Sequence, residues 1–172
     1  NNDSLNNFFI KGQQRQVYVN LSAQFDPNNS LFFSANTNKN TGTIPGNTDN
    51  RHTLRAGYDF SKDRFKLSLT TGYVTGKLRI PQSASGRDDA IWNLMRDTTP
   101  WPYISEESWR AIRKEYKNDR FTGSLRLSYI FPLRIKAESL VGFDLNQVNG
   151  LNYLPYGYLQ GSNSTGSKQV SN

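Results

Sequence analysis

A two-residue alternation of apolar and polar side chains recurs in six separate segments of this chain and constrains its fold more than any other feature. Successive side chains of an extended strand point to opposite faces, so each such run makes a strand with one greasy and one wet side. In "RQVYVNLSAQF", Val17, Val19, Leu21, Ala23 and Phe25 alternate with Tyr18, Asn20, Ser22 and Gln24. "SLFFSANTN" puts Leu31, Phe33 and Ala35 on one face. "RHTLRAGYDF" sets Leu54, Ala56, Tyr58 and Phe60 against Thr53, Arg55, Gly57 and Asp59. "RFKLSLTTGYV" sets Phe65, Leu67, Leu69, Thr71 and Tyr73 opposite Lys66, Ser68, Thr70 and Gly72. The stretch "DRFTGSLRLSYIFPLRIKAESLVGFDLN" supplies two more runs, split at Pro132. The alternation therefore predicts strands near 15–25, 30–38, 51–60, 64–74, 119–131 and 134–146. Ser139 and Leu140 fall on the wrong parities, which predicts a bulge or an outside contact there.

The wet parity carries formal charges: Arg55, Lys66, Arg126, Lys136, Glu138 and Asp144. Connections between the runs alternate in length. "DPNN", "SKD" and the turn at Pro132 and Leu133 are short, whereas 39–50, 75–118 and 147–172 are long and polar. Short turns at one end and long loops at the other are the layout of an outer-membrane barrel. Phe25 and Phe32, then Tyr58, Phe60 and Phe65, then Tyr129 and Phe131, flank the short turns as an aromatic girdle at a membrane boundary would. A soluble antiparallel sheet also has one wet face, so the alternation by itself leaves a sandwich open.

Composition agrees with order but not with a conventional core. Only 35% of residues are hydrophobic and the mean hydropathy is -0.72, yet 10 Phe, 9 Tyr and 3 Trp are present, and disordered chains are poor in such rings. The absence of cysteine and the single histidine, His52, exclude disulfide scaffolds and Cys/His zinc sites. No apolar run approaches 18 residues, but a barrel strand needs only about 9–11, with alternate ones apolar. The net charge of +7 is spread singly along the chain rather than gathered in a patch, so no nucleic-acid partner is expected.

No catalytic constellation is legible. Glu106 and Glu107 in "PYISEESWRAIRKEYKN" read as first-turn acids of a short helix capped by Ser105, with Ile104, Trp109, Ile112 and Tyr116 on one side. Asp88 and Asp89 lack the further oxygens a calcium cage needs, and the glycines do not form a phosphate-binding pattern. No enzyme activity, metal or cofactor is expected. Trp92, Trp101, Tyr103 and Trp109 are the candidate substrate contacts, since exposed rings stack on sugars or pack on peptides.

The order "RHTLRAGYDFSKDRFKLSLTTGYVTGKLRIPQ", "YISEESWRAI", then "DRFTGSLRLSYIFPLRIKAESLVGFDLNQVNGLNYLPYG" resembles barrel strands of SusC/RagA-type TonB-dependent outer-membrane transporters. Arg120, Phe121, Gly123 and Ser124 match an "RF-GS" strand, and Val141 to Asp144 a "VGxD" strand, over most of 15–157. The family's plug domain and TonB-contacting segment have no counterpart in these residues. The resemblance implies an all-β transmembrane antiparallel barrel, of which this chain is an internal part with about six of about 22 strands. It also implies import of an oligosaccharide or peptide, with outer-membrane lipid, the TonB complex and a SusD-like lipoprotein as partners. The implied location is the bacterial outer membrane. Two other readings stay open: a small outer-membrane barrel for adhesion or structure, and a soluble carbohydrate-binding β-sandwich.

Overall fold

The computed structural model describes residues 7–80, 106–156 and 167–171. Seven antiparallel strands form one sheet in sequence order: β1 (Gln13–Asp26), β2 (Asn29–Thr41), β3 (Thr48–Lys62), β4 (Phe65–Ile80), β5 (Arg113–Ile130), β6 (Lys136–Leu154) and β7 (Ser167–Ser171). A short helix, α1 (Glu106–Ala111), precedes β5. No helix among the described residues is long and apolar enough to cross a membrane, which says nothing of strands.

Local chemistry sets the tight turns. Asp26 accepts hydrogen bonds from the Asn28 amide at 2.7 Å and from Asn29 Nδ2 at 2.7 Å, closing a turn that Pro27 pre-bends. These bonds to the ionised form, that from Asn29 first, hold the Asp26 carboxyl below its ordinary range. The register slips once here, between Gln24 and Asp26, which leaves Phe25 in a bulge. The β3–β4 turn places Asp63 at φ 51°, and the β5–β6 turn passes Leu133 and Arg134 through φ 69° and 61°.

Every predicted strand exists, but each runs longer than the alternation indicated. Polar residues that read as loop, such as Lys39, Asp49, Lys77, Lys117 and Asn149, continue the ladder. A strand needs paired backbone rather than an apolar face, and the neighbouring strand supplies that pairing. The expected loop 39–50 shrinks to Gly42–Asn47, closed by Gly42 N donating to Asn47 O at 2.9 Å, with Gly46 at φ 84°. Within 147–172, β6 extends to Leu154 and β7 pairs with it from Gly150 to Leu154. The helix is shorter than its apolar spacing indicated, because Tyr116 belongs to β5. Ile104 and Ser105 lie outside the described residues. No bulge occurs at Ser139 and Leu140, which pair in continuous register with Leu127 and Arg126.

The register joins the apolar parities into one face. Directly paired residues share a side of the sheet, and the rows can be read across. Val19, Ala35, Leu54, Tyr73, Phe121 and Leu145 form one; Leu21, Phe33, Ala56, Thr71, Gly123 and Phe143 the next; Ala23, Leu31, Tyr58, Leu69, Leu125 and Val141 the third. Phe60, Leu67 and Leu127, then Phe65, Tyr129 and Ala137, complete the band toward the short turns. Nothing among the described residues covers it. Among the described hydrophobic side chains only Phe8, Trp109 and Ile112 are buried, against 29 large ones exposed.

Two of those buried side chains pack together at the long-loop end, and Ile112 lines a hollow beside Trp109. Phe8 meets Trp109 edge-on at 5.2 Å, and Arg110 lies 6.0 Å over the Phe8 ring. Ile10 N donates to Thr43 O at 2.9 Å, which ties the same segment to the β2–β3 loop.

Candidate functional site

The second face of the sheet gathers the polar parities. Arg55, Lys66, Arg126, Lys136, Glu138 and Asp144 all lie on it, on strands β3 to β6. Near the short turns a hollow of about 500 Å³ is lined by Asp59, Arg64, Lys66, Arg126, Lys136 and Glu138, with Ser68 and Ser128 between them. Glu138 accepts from Lys136 Nζ at 2.7 Å and stands 3.5 Å from Arg126 Nε. Four cations thus meet two carboxylates, leaving this end of the face electropositive.

Higher on the face, Arg55 borders a hollow of about 390 Å³ with Thr70, Gly72, Thr122 and Ser124. Thr70 and Ser124 share a hydroxyl hydrogen bond of 2.6 Å. Phe32 is also here, not in the girdle its place beside the first turn suggested, because the register seats its ring on Gly57. A Cβ on Gly57 would stand 2.0 Å from that ring, so Gly57→Ala must displace it. The expected loss is about 1–3 kcal/mol; the check is the denaturation midpoint of Gly57→Ala against the parent, with Gly76→Ala, whose added Cβ would meet only Asn50 O at an ordinary 3.6 Å, as control.

Asp144 is held by Arg120 in a two-pronged pair, with Arg120 Nε 2.9 Å from Asp144 Oδ1 and a second contact from Nη2 to Oδ2. Arg120 was not evident as a site residue, because only the β5–β6 register brings it beside Asp144. Both side chains are half exposed, so the pair contributes position more than stability. Toward the long loops the face turns to amides: Gln14, Gln16, Asn36, Asn38, Asn40, Asn118, Asn146 and Asn152. The Oδ1 atoms of Asn38, Asn40 and Asn152 are buried with no hydrogen-bond partner, and such acceptors are costly to leave empty. Polarity of the strand ends was visible in the sequence; their unmet bonding was not.

The aromatic candidates divide. Trp92, Trp101 and Tyr103 lie outside the described residues. Trp109 is 3% exposed and packed edge-on against Phe8, so its indole is an internal contact of the loop end. His52 lies on the apolar-band side, its Nδ1 3.2 Å from Thr37 Oγ1. No group of three His, Cys, Asp or Glu side chains able to hold a metal ion occurs among the described residues.

Fold and faces together define the class: among the described residues, a single all-antiparallel β-sheet, open at both edges, with one uncovered apolar face and one charged, amide-rich face. No protein-family model and no curated protein matches the chain.

Proposed function

We propose that this chain is a stretch of barrel wall from a TonB-dependent outer-membrane transporter of the SusC/RagA type, which imports a large nutrient such as an oligosaccharide or a peptide. The observation that carries the reading is the uncovered apolar band. From Phe65 to Tyr73 it spans eight residue steps of β4, roughly 26 Å along the strand and roughly 20 Å in height once a strand tilts by about 40°. An apolar surface of that extent marks a lipid or protein contact rather than a water-facing side. A membrane-spanning β structure must also leave no open edge in lipid. Among the described residues β1 is paired on one side only, and so is Lys136–Asn149 of β6, as expected of a wall segment whose edges pair with further strands.

In this reading the polar face lines the lumen. Its positive hollow faces the plug, and the amides near the long loops offer hydrogen bonds to hydroxyl or peptide groups of the cargo. Energy comes from the TonB complex, and a SusD-like lipoprotein caps the outer mouth. The wall itself performs no covalent chemistry.

The test is uptake of labelled oligosaccharides and peptides by cells with and without the protein, in the presence and absence of TonB. Loss of uptake in both deletions is the expected result. A parent protein that stays in solution without detergent sinks the membrane reading. A parent of 19.6 kDa, the mass of these 172 residues alone, sinks the transporter and favours a small structural barrel.

A further inference from the structure

One row of the ladder sets cations side by side across six strands. On the side that carries the apolar band, Arg15 pairs with Lys39, Lys39 with Asn50, Asn50 with Lys77, Lys77 with Lys117, and Lys117 with Asn149. The row holds four cations, two amides and no carboxylate. Like charges directly opposite destabilise a sheet, and this row contains two such pairs, Arg15 with Lys39 and Lys77 with Lys117.

Partial relief comes from the flanking rows. Lys77 Nζ lies 2.8 Å from Glu115 Oε2 and Lys117 Nζ 2.8 Å from Asp119 Oδ2, yet both lysines stay more than half exposed, at 57% and 59%. Arg15 and Lys39 have no ion pair among the described residues. Adding Arg79, five cations face two carboxylates on this margin.

The position of the row identifies what it meets. Lys77 stands four residues beyond Tyr73, and Lys117 four residues from Phe121, which is roughly 13 Å along a strand and roughly 10 Å in height at a tilt of about 40°. Between them the band becomes polar in a single row: Tyr73 keeps its ring in the apolar band while its hydroxyl donates to Asp119 Oδ1 at 3.1 Å. Thr75 Oγ1 donates to the same oxygen at 2.6 Å. Such a ring with its hydroxyl toward water marks the edge of the hydrocarbon layer. Lysine stems then reach along the apolar surface and hold their ammonium groups at headgroup depth.

We propose that this row is a docking surface for the phosphate headgroups of lipid in the leaflet on the long-loop side. The inference rests on the membrane-wall reading and adds a ligand class to its outer surface. Phosphate oxygens neutralise the opposed cation pairs, and Asn50 and Asn149 donate amide hydrogens to the same groups. Each cation near an anionic membrane surface strengthens binding by about fivefold.

The full-length protein in non-ionic detergent is titrated with a bisphosphorylated glycolipid, with the same glycolipid after phosphate removal, and with inorganic phosphate, and bound lipid is read by native mass spectrometry. The wild type is expected to bind the phosphorylated form at least about tenfold tighter than the stripped form. The triple variant Lys39→Gln, Lys77→Gln, Lys117→Gln should lose that preference, whereas Lys114→Gln, on the opposite face, should keep it. Unchanged heat-modifiable migration on a gel shows that the triple variant has folded. Equal binding of the two glycolipids, equal binding by wild type and triple variant, or full displacement by millimolar inorganic phosphate each overturns the proposal. Failure to enter membranes at all sinks the wall reading itself, and is scored separately by extraction.

Discussion

Leu69→Arg and Leu125→Arg are expected to block assembly of the protein into a bilayer, each at a cost of about 2–4 kcal/mol. The two side chains pair directly in the middle row of the apolar band, with Tyr58 and Val141 on either side. An arginine there has no carboxylate in its row and the longest reach to either polar margin. Leu67→Arg and Leu127→Arg, one row nearer the short turns, should cost somewhat less, since the penalty falls with distance from the midplane. Ser128→Arg, on the polar face directly opposite Glu138, should assemble nearly as the wild type does. The measurement is the fraction showing heat-modifiable migration after folding into vesicles. Comparable losses from Leu69→Arg and Ser128→Arg would show that the apolar face does not meet lipid.

Trp109→Ala should release the long-loop end while leaving the wall intact. The indole is 3% exposed and packs on Phe8, and these two with Ile112 are the only buried hydrophobic side chains among the described residues. Truncating a buried tryptophan costs about 3–5 kcal/mol, more than so small a cluster can lose and stay docked. Hydrogen exchange reads this locally. Protection should fall at the Ile10 amide, which donates to Thr43 O, and at the Ile112 amide, which donates to Trp109 O. Amides in the middle of β3 and β4 should keep theirs, because their bonds belong to the continuous ladder. Loss of protection throughout the sheet would instead make the cluster a keystone of the whole fold.

Asp26 adds a smaller pH dependence at the first turn. Its carboxyl is held below the ordinary range by Asn29 and the Asn28 amide. A depressed carboxyl stabilises the folded state above its unfolded pKa and ceases to do so as the pH falls through its folded value. Fraying of the β1–β2 turn should therefore appear only in acid, and Asp26→Asn should remove that dependence.

Strands and their faces were legible from side-chain alternation. Side-chain parity has a period of two whatever the partner, so Leu67, Leu69, Leu125 and Leu127 were bound to share a side once they were extended, and Lys66, Arg126 and Glu138 to share the other. Strand ends were less legible, because Lys77, Lys117 and Asn149 carry no apolar signal and are extended only by backbone pairing with their neighbours. The five-residue β7 was hidden for the same reason.

Which residues meet depends on how the strands are laid side by side. Register sets Leu69 at mid-band, seats Phe32 on Gly57, brings Arg120 to Asp144, and lines up Arg15, Lys39, Lys77 and Lys117 in one row. Those pairs are separated by tens of residues along the chain, and no local spacing encodes them. The partner of Trp109 was equally invisible: its place on the apolar side of a short helix was legible, but Phe8 comes from a distant part of the chain. Faces follow from the geometry of one strand; contacts follow from how strands are laid against each other.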